Sequence, residues 1–250
     1  MVKTSAPVVS IRLSCALVLG FAIAASAQTV DPTYSGTYTL TSLGSVSGLP
    51  TNYGGLIFKD ANTIGIGGAA NSSGGRFYSV AVTRGAGNHV TALGTPTVLG
   101  FGTRNDGGVA FSPTGVLFYA EYPVNSMGQV LPPYTSDHST TVLTGLGVTS
   151  PVGATNFVPA NYNGAGQFKV ASYSGNTFYS VPLTSDGSGG YTLGSATLTA
   201  TLNTCASTCG PEGVVYVPLG SPVFSGQNLL MAEYGSGTIR QNFHGPSLSA

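Results

Sequence analysis

A glycine-flanked apolar run occurs four times in this chain of 250 residues, and similar short segments follow it each time. The runs read YGGLIF from Tyr53, DGGVAF from Asp106, ATNFVP from Ala154 and PEGVVYVP from Pro211. With Gly55, Gly108, Asn156 and Gly213 as equivalents, the steps are 53, 48 and 57 residues. Self-similarity at about 50 residues marks a repeat architecture, in which each unit buries its apolar face only against its neighbours. The segments behind the runs keep the same beat. FYSVAVT from Phe77 and FYSVPLT from Phe178 lie two periods apart, as do LFYAEY from Leu117 and LLMAEY from Leu229.

No stretch holds apolar residues at helical spacing for three turns, while Gly, Pro and Asn punctuate runs rich in Val, Thr, Tyr and Phe. That pattern predicts many short strands. An inner strand, a second ending near AEY, a third of the FYSV type and a fourth of the VTALG or YTLGS type recur in order. Four strands per repeat of this length is the unit of a β-propeller blade. The expectation is an all-β propeller of about four blades. TYTLTSLG (37–44) resembles the fourth-strand pattern and is expected to complete the last blade from the N-terminus. Rings of four blades lie at the lower limit of the architecture, so an incomplete or open propeller is favoured over a closed ring. A β-sandwich would suit the strand density but not the regular period.

The N-terminus reads as a signal peptide, residues 1–27. Lys3 and Arg12 make a basic start, Leu13 to Ala25 an apolar stretch too short to span a bilayer, and Ala25-Ser26-Ala27 a small-residue cleavage site. The propeller domain is expected over residues 28–243, with an irregular tail over 244–250. The mature chain would carry six basic and eight acidic residues. So weak a charge excludes nucleic acid, which needs clustered Lys and Arg, and there is no polybasic run for an anionic membrane. No membrane span is expected in the mature chain, which would be secreted or periplasmic. Its two remaining cysteines, Cys205 and Cys209, are expected to form a local disulfide in an oxidising compartment.

The stretches NDGGVAFSPTGVLF, SYSGNTFYS and PEGVVYVPLGSP with LLMAEYGSGTI resemble an uncharacterised group of exported bacterial β-propeller proteins. Some members of that group carry a PEP-CTERM sorting tail, which has no counterpart here. The resemblance runs from about Tyr38 to Ile239 and rests on blade motifs. It implies architecture and export, and no particular chemistry.

In propellers generally, the inner strands line a central channel, and the loops entering them gather at one mouth with those that leave the second strands. The repeats place Asn52, Asp106, Asn156 and Glu212 near inner-strand starts. Glu121, Ser172 and Glu233 fall at second-strand ends, each followed by a tyrosine: Tyr122, Tyr173 and Tyr234. The expected ligand site is therefore Asp106, Glu121, Tyr122, Tyr173, Glu212, Glu233 and Tyr234. Convergent polar groups with aromatic rings suit a glycan or an extracellular protein partner. Hard oxygen donors at Asp106, Asn156 and Glu212 would suit Ca²⁺ in a metal-dependent hydrolase or lyase. Equally, the carboxylates could cap turns and the tyrosines pack between blades.

No catalytic constellation is recognisable. His89, His138 and His244 are scattered, there is no G-x-S-x-G elbow, and GIGGAA (65–70) lacks the helix a dinucleotide fingerprint requires. Asp137-His138 reads as a turn, and Arg84, Arg104 and Lys169 as solvated lone charges. The reading is a non-catalytic binding or scaffold module that engages a glycan, a peptide or a surface polymer. A truncated propeller without independent activity is the other alternative.

Overall fold

The computed structural model describes residues 29–202 and 209–243. The expected signal peptide, Cys205 and the tail lie outside the described residues. The chain forms two compact units that divide between Thr41 and Ser42. In the first, the Asp31 carboxylate accepts the Thr33 N–H at 2.8 Å, and the Asp31 carbonyl receives the N–H groups of Tyr34 and Ser35. The expected N-terminal strand is not formed. Thr37 and Tyr38 donate their N–H groups to Tyr34 in local turns, and residues 37–44 are exposed throughout without a sheet partner.

Among the described residues the second unit holds four antiparallel sheets arranged as a four-bladed propeller, and a separate two-stranded hairpin. Blade 1 is β1 (Leu56–Asp60), β2 (Thr63–Gly68), β3 (Arg76–Arg84) and β4 (Val90–Phe101). Blade 2 is β5 (Asn105–Phe111), β6 (Leu117–Glu121), β7 (Ser126–Val130) and β8 (Asp137–Val142). Blade 3 is β9 (Val152–Phe157), β10 (Phe168–Ser172), β11 (Thr177–Val181) and, after a hairpin of β12 (Leu183–Ser185) and β13 (Tyr191–Leu193), β14 (Thr197–Thr201). Blade 4 has three strands among the described residues: β15 (Pro211–Tyr216), β16 (Asn228–Glu233) and β17 (Thr238–Phe243).

Blades stack because the middle ones bury both faces. On β6, Leu117 and Tyr119 pack with Phe77 and Val109 between blades 1 and 2, while Phe118 and Ala120 pack with Phe168 and Val170 between blades 2 and 3. Alternate side chains on a strand point to opposite faces, so a strand buried on both sides reads as continuously apolar. The Phe77 and Tyr119 rings meet edge to face at 5.4 Å, and the Phe118 and Phe168 rings lie tilted at 4.8 Å. Each such side chain stabilises the stack by about 1.5–3 kcal/mol relative to exposure. Between blades 3 and 4, Phe178 and Ala171 meet Leu229, Met231 and Tyr216. The end blades differ. Val46 and Leu49 cover Ile64, Ile66 and Val80 on blade 1, yet Leu56 and Phe58 of β1 remain 56% and 49% exposed. On blade 4, Val215 and Ile239 are 54% and 73% exposed.

Three local expectations are corrected. The YTLGS segment lies largely in the β12–β13 hairpin, which docks on blade 2: the Tyr191 N–H donates to Gln129 Oε1 at 2.9 Å, and Gln129 Nε2 donates to the Tyr191 carbonyl at 2.7 Å. Asp137-His138 is not a turn but the start of β8. Its two side chains diverge, Asp137 accepting from the Tyr119 hydroxyl at 3.2 Å and His138 meeting Asp186 of the hairpin at 2.5 Å. Lys169 is not solvated; it is 5% exposed on β10, and burial lowers its pKa.

The inner strands meet at the axis through backbone. β1 packs on β5, β5 on β9 and β9 on β15, and β15 reaches back to β5. Among the described residues no comparable packing joins β15 to β1. A β-carbon on Gly55 would lie 2.6 Å from the Gly107 carbonyl oxygen, and one on Gly108 2.6 Å from that of Gly153. One on Gly107 would lie 2.8 Å from Glu212 Cβ, and one on Gly153 would collide with the Pro211 carbonyl. Only glycine permits this approach. Gly153→Ala is expected to lower unfolding free energy by about 2 kcal/mol or more, as overpacking against rigid backbone does. Gly145→Ala, where nothing lies within 4 Å, should change it little; denaturant titration of both variants checks the contrast.

Candidate functional site

One backbone hydrogen bond recurs in every blade and builds the rim. The residue just past the second strand donates its N–H to the residue that leads into the inner strand. The pairs are Ala70 to Asn52 at 2.8 Å, Tyr122 to Arg104 at 3.1 Å, Tyr173 to Pro151 at 2.8 Å and Tyr234 to Gly210 at 2.8 Å. Three tyrosines are thereby held at equivalent places beside the inner-strand starts. Two residues after the accepting carbonyl come Gly54, Asp106, Gly153 and Glu212, so the carboxylates also occupy equivalent places, in blades 2 and 4.

Bulges in the inner strands bring these positions to the mouth. The register of β5 on β6 shifts between Asn105 and Val109, and that of β15 on β16 between Pro211 and Gly213. An extra residue on one strand bends it and re-aims its side chains. Asp106 and Glu212 sit inside these shifts. Gly107 packs against Glu212, and the Tyr173 ring lies over Gly210, where a β-carbon would be 2.7 Å from Cε2. Tyr122 and Tyr173 are half-buried and Tyr234 is 73% exposed, so the group opens to solvent.

Electrostatics tie the five residues together. Burial, and then the charge of Asp106, push the Glu212 carboxyl up to about 7. Asp106 is itself raised by burial, against the opposing hydrogen bonds from the Gly107 N–H and the Asn71 side chain. Loss of solvent, followed by the influence of Glu212, of the Tyr234 and Tyr122 phenols and of Asp106, raises the Tyr173 phenol. Two carboxylates near each other cannot both ionise cheaply.

Five of the seven expected ligand residues, Asp106, Tyr122, Tyr173, Glu212 and Tyr234, thus come together. Glu121 and Glu233 do not. Each precedes a rim tyrosine on its strand and so points to the other face. Glu121 is buried and accepts from the Thr140 hydroxyl at 3.1 Å. Glu233 is 1% exposed and holds Arg240 Nε at 3.0 and 3.1 Å with both oxygens, besides accepting from Ser236 at 3.0 Å.

Asn156 is the third departure. Gly153, not Asn156, is the blade 3 equivalent of Asp106 and Glu212, and Asn156 lies farther along β9. Its Nδ2 donates to the Val214 carbonyl at 2.8 Å and its Oδ1 accepts from the Phe157 N–H at 2.8 Å. Its amide joins blade 3 to blade 4 and is not placed to ligate a metal with Asp106 and Glu212. Among the described residues no group of three or more His, Cys, Asp or Glu could hold a metal ion. Cys209 is buried, one residue ahead of Gly210, and its expected partner lies outside the described residues.

Asn71 is the rim residue that sequence reasoning missed. It comes from the loop between β2 and β3, where its N–H donates to the Asn105 carbonyl at 3.0 Å. Its sequence stands out only as a glycosylation sequon, which says nothing of Asp106.

No protein-family profile and no curated protein matches the chain. Solved structures do. An auxiliary nutrient binding protein from Bacteroides ovatus is similar with a TM-score of 0.52 at 12% identity, over 82% of this chain and 48% of that one. One from Bacteroides thetaiotaomicron gives a TM-score of 0.49 at 13% identity, over 81% and 47%. The chain spans about half the length of these structures. The first likeness shows the propeller fold. Among the described residues no helix is long and apolar enough to cross a membrane.

The raised Glu212 pKa has a definite consequence for stability. The folded state holds this proton more tightly than the unfolded chain, whose value is near 4.5, so the contribution of Glu212 falls as pH rises from there to about 7. Glu212→Gln is expected to match the parent at pH 4 and to exceed it at pH 8 by about 1–3 kcal/mol. Denaturant unfolding at the two pH values checks this; an equal difference at both would contradict it.

Proposed function

We propose that the protein is an exported, non-catalytic propeller module that holds a glycan, a peptide or a surface polymer against the rim of Tyr122, Tyr173, Tyr234, Asp106 and Glu212. The observation that carries this reading is the convergence of three equivalent tyrosines on two inner-strand carboxylates that are set apart from the structural carboxylates Glu121 and Glu233. Aromatic faces beside a few fixed polar groups are the composition of a recognition site. Structural turn-capping would explain one carboxylate, but not a second that burial and a neighbour hold up to about 7.

The binding role named for the Bacteroides ovatus structure is in keeping with this reading. Export rests on the N-terminal sequence and on the blade-motif resemblance to exported bacterial propellers. A Cys205–Cys209 disulfide would then pin the loop that leads into Gly210 and Tyr234, close to the rim.

Arrays of glycans and of peptides probed with residues 28–250 test the reading, and silence on both would refute it. Tyr234→Ala is the informative variant because the ring is 73% exposed. It is expected to leave the melting temperature unchanged and to weaken binding about 3- to 10-fold, the worth of one aromatic contact.

A further inference from the structure

We propose that the ligand of the rim is a glycan with free amino groups, its ammonium groups neutralising Asp106 and Glu212 while its sugar rings lie on the three tyrosines. This rests on the binding reading above and names the chemistry of the ligand.

The charges at the rim are unbalanced. The groups that act on the Asp106 carboxylate are the Gly107 N–H and the Asn71 side chain, both neutral. Asp106 acts on Glu212, and Tyr173 adjoins Glu212. Arg104 is the base nearest in sequence, and its charge acts on Glu121. The two ion pairs among the described residues, His138 with Asp186 and Arg240 with Glu233, engage neither rim carboxylate. Two carboxylates are therefore held within each other's field, and neither enters an ion pair among the described residues.

The tyrosines are an independent observation. Each hangs from its own blade by the same N–H to carbonyl bond, and Tyr173 interacts with Tyr122, Tyr234, Asp106 and Glu212, so tyrosines from three blades share the rim with the carboxylates. Electron-rich ring faces attract a cation within about 6 Å, and they also stack on the apolar faces of sugar rings.

Alternatives use only part of the arrangement. A neutral glycan uses the rings and leaves the carboxylates repelling each other. An anionic ligand adds to the repulsion. Calcium takes about 6–8 oxygen ligands and has no use for three rings. A lysine side chain answers the carboxylates with a compact charge on a thin stem and leaves most of the ring surface bare. An amino sugar answers both.

The experiment is calorimetric titration of residues 28–250 with four probes: glucosamine oligomers, N-acetylglucosamine oligomers, N-trimethylated glucosamine oligomers and a lysine-bearing peptide. The glucosamine oligomer is expected to bind at least about tenfold tighter than its N-acetylated counterpart, and this preference should shrink as salt is raised. The trimethylated probe keeps its charge at every pH. Its affinity should fall as pH is lowered from 8 to 5 and Glu212 takes up its proton, and this pH dependence should vanish in Glu212→Gln.

Equal binding of the N-acetylated oligomer would overturn the ammonium assignment while leaving the binding module standing. Binding of the peptide alone would overturn the glycan. Silence of all four probes together with silent arrays would overturn both readings. Melting curves of Glu212→Gln confirm that a lost preference is not a lost fold.

Discussion

The architecture depends on inner strands that touch backbone to backbone. At Gly55, Gly107, Gly108 and Gly153 there is no room for a β-carbon, because a carbonyl, an N–H or a neighbouring Cβ already occupies the place. Glycine weakens a strand considered alone by roughly 0.5–1 kcal/mol. Here that cost is offset by the close stacking it permits, which lets Phe77, Phe118, Phe168 and Phe178 fill the wedges between blades. The axis is consequently filled with backbone, and the solvent-open positions lie at the rim.

The rim inherits its order from the same repeat. Because one N–H to carbonyl bond recurs in each blade, three tyrosines that lie far apart in sequence are presented alike. Bulged inner strands then turn Asp106 and Glu212 toward them. The neighbouring carboxylates are used differently. Glu233 closes an ion pair with Arg240 inside blade 4, and Glu121 is buried against Thr140 within blade 2. Those two serve the fold through their partners, whereas neither Asp106 nor Glu212 enters an ion pair among the described residues.

Much of this was legible along the chain. The four glycine-flanked runs are β1, β5, β9 and β15, the AEY segments end second strands, and the FYSV segments lie in third strands, as the spacing predicts. The rim tyrosines follow from the same alignment. The departures have separate causes, and the first is that a repeat read by letters carries no bulges. Asn156, equated with Gly108 and Gly213 within the runs, is grouped by letters with Asp106 and Glu212 near the inner-strand starts, but the recurring rim bond makes Gly153 the equivalent of those two carboxylates. Glu121 and Glu233 share a repeat position with each other, yet strand alternation turns both away from the tyrosines beside them. Segment 37–44 has the alternation of an outer strand, but turns from Asp31 to Tyr38 claim its first N–H groups.

The sequence by itself determined the strand class, the blade unit and the neighbourhood of the rim, because period and turn chemistry are local properties that survive without coordinates. Tertiary structure alone decided that Glu233 pairs with Arg240 and Glu121 with Thr140, that Asn71 reaches Asp106, that Lys169 is buried, and that the first and last blades keep exposed outward faces. Those outcomes depend on which side of a strand each residue faces and on what the next blade brings to it. A shift of one residue reverses that side, and no pattern within a single segment records its neighbour.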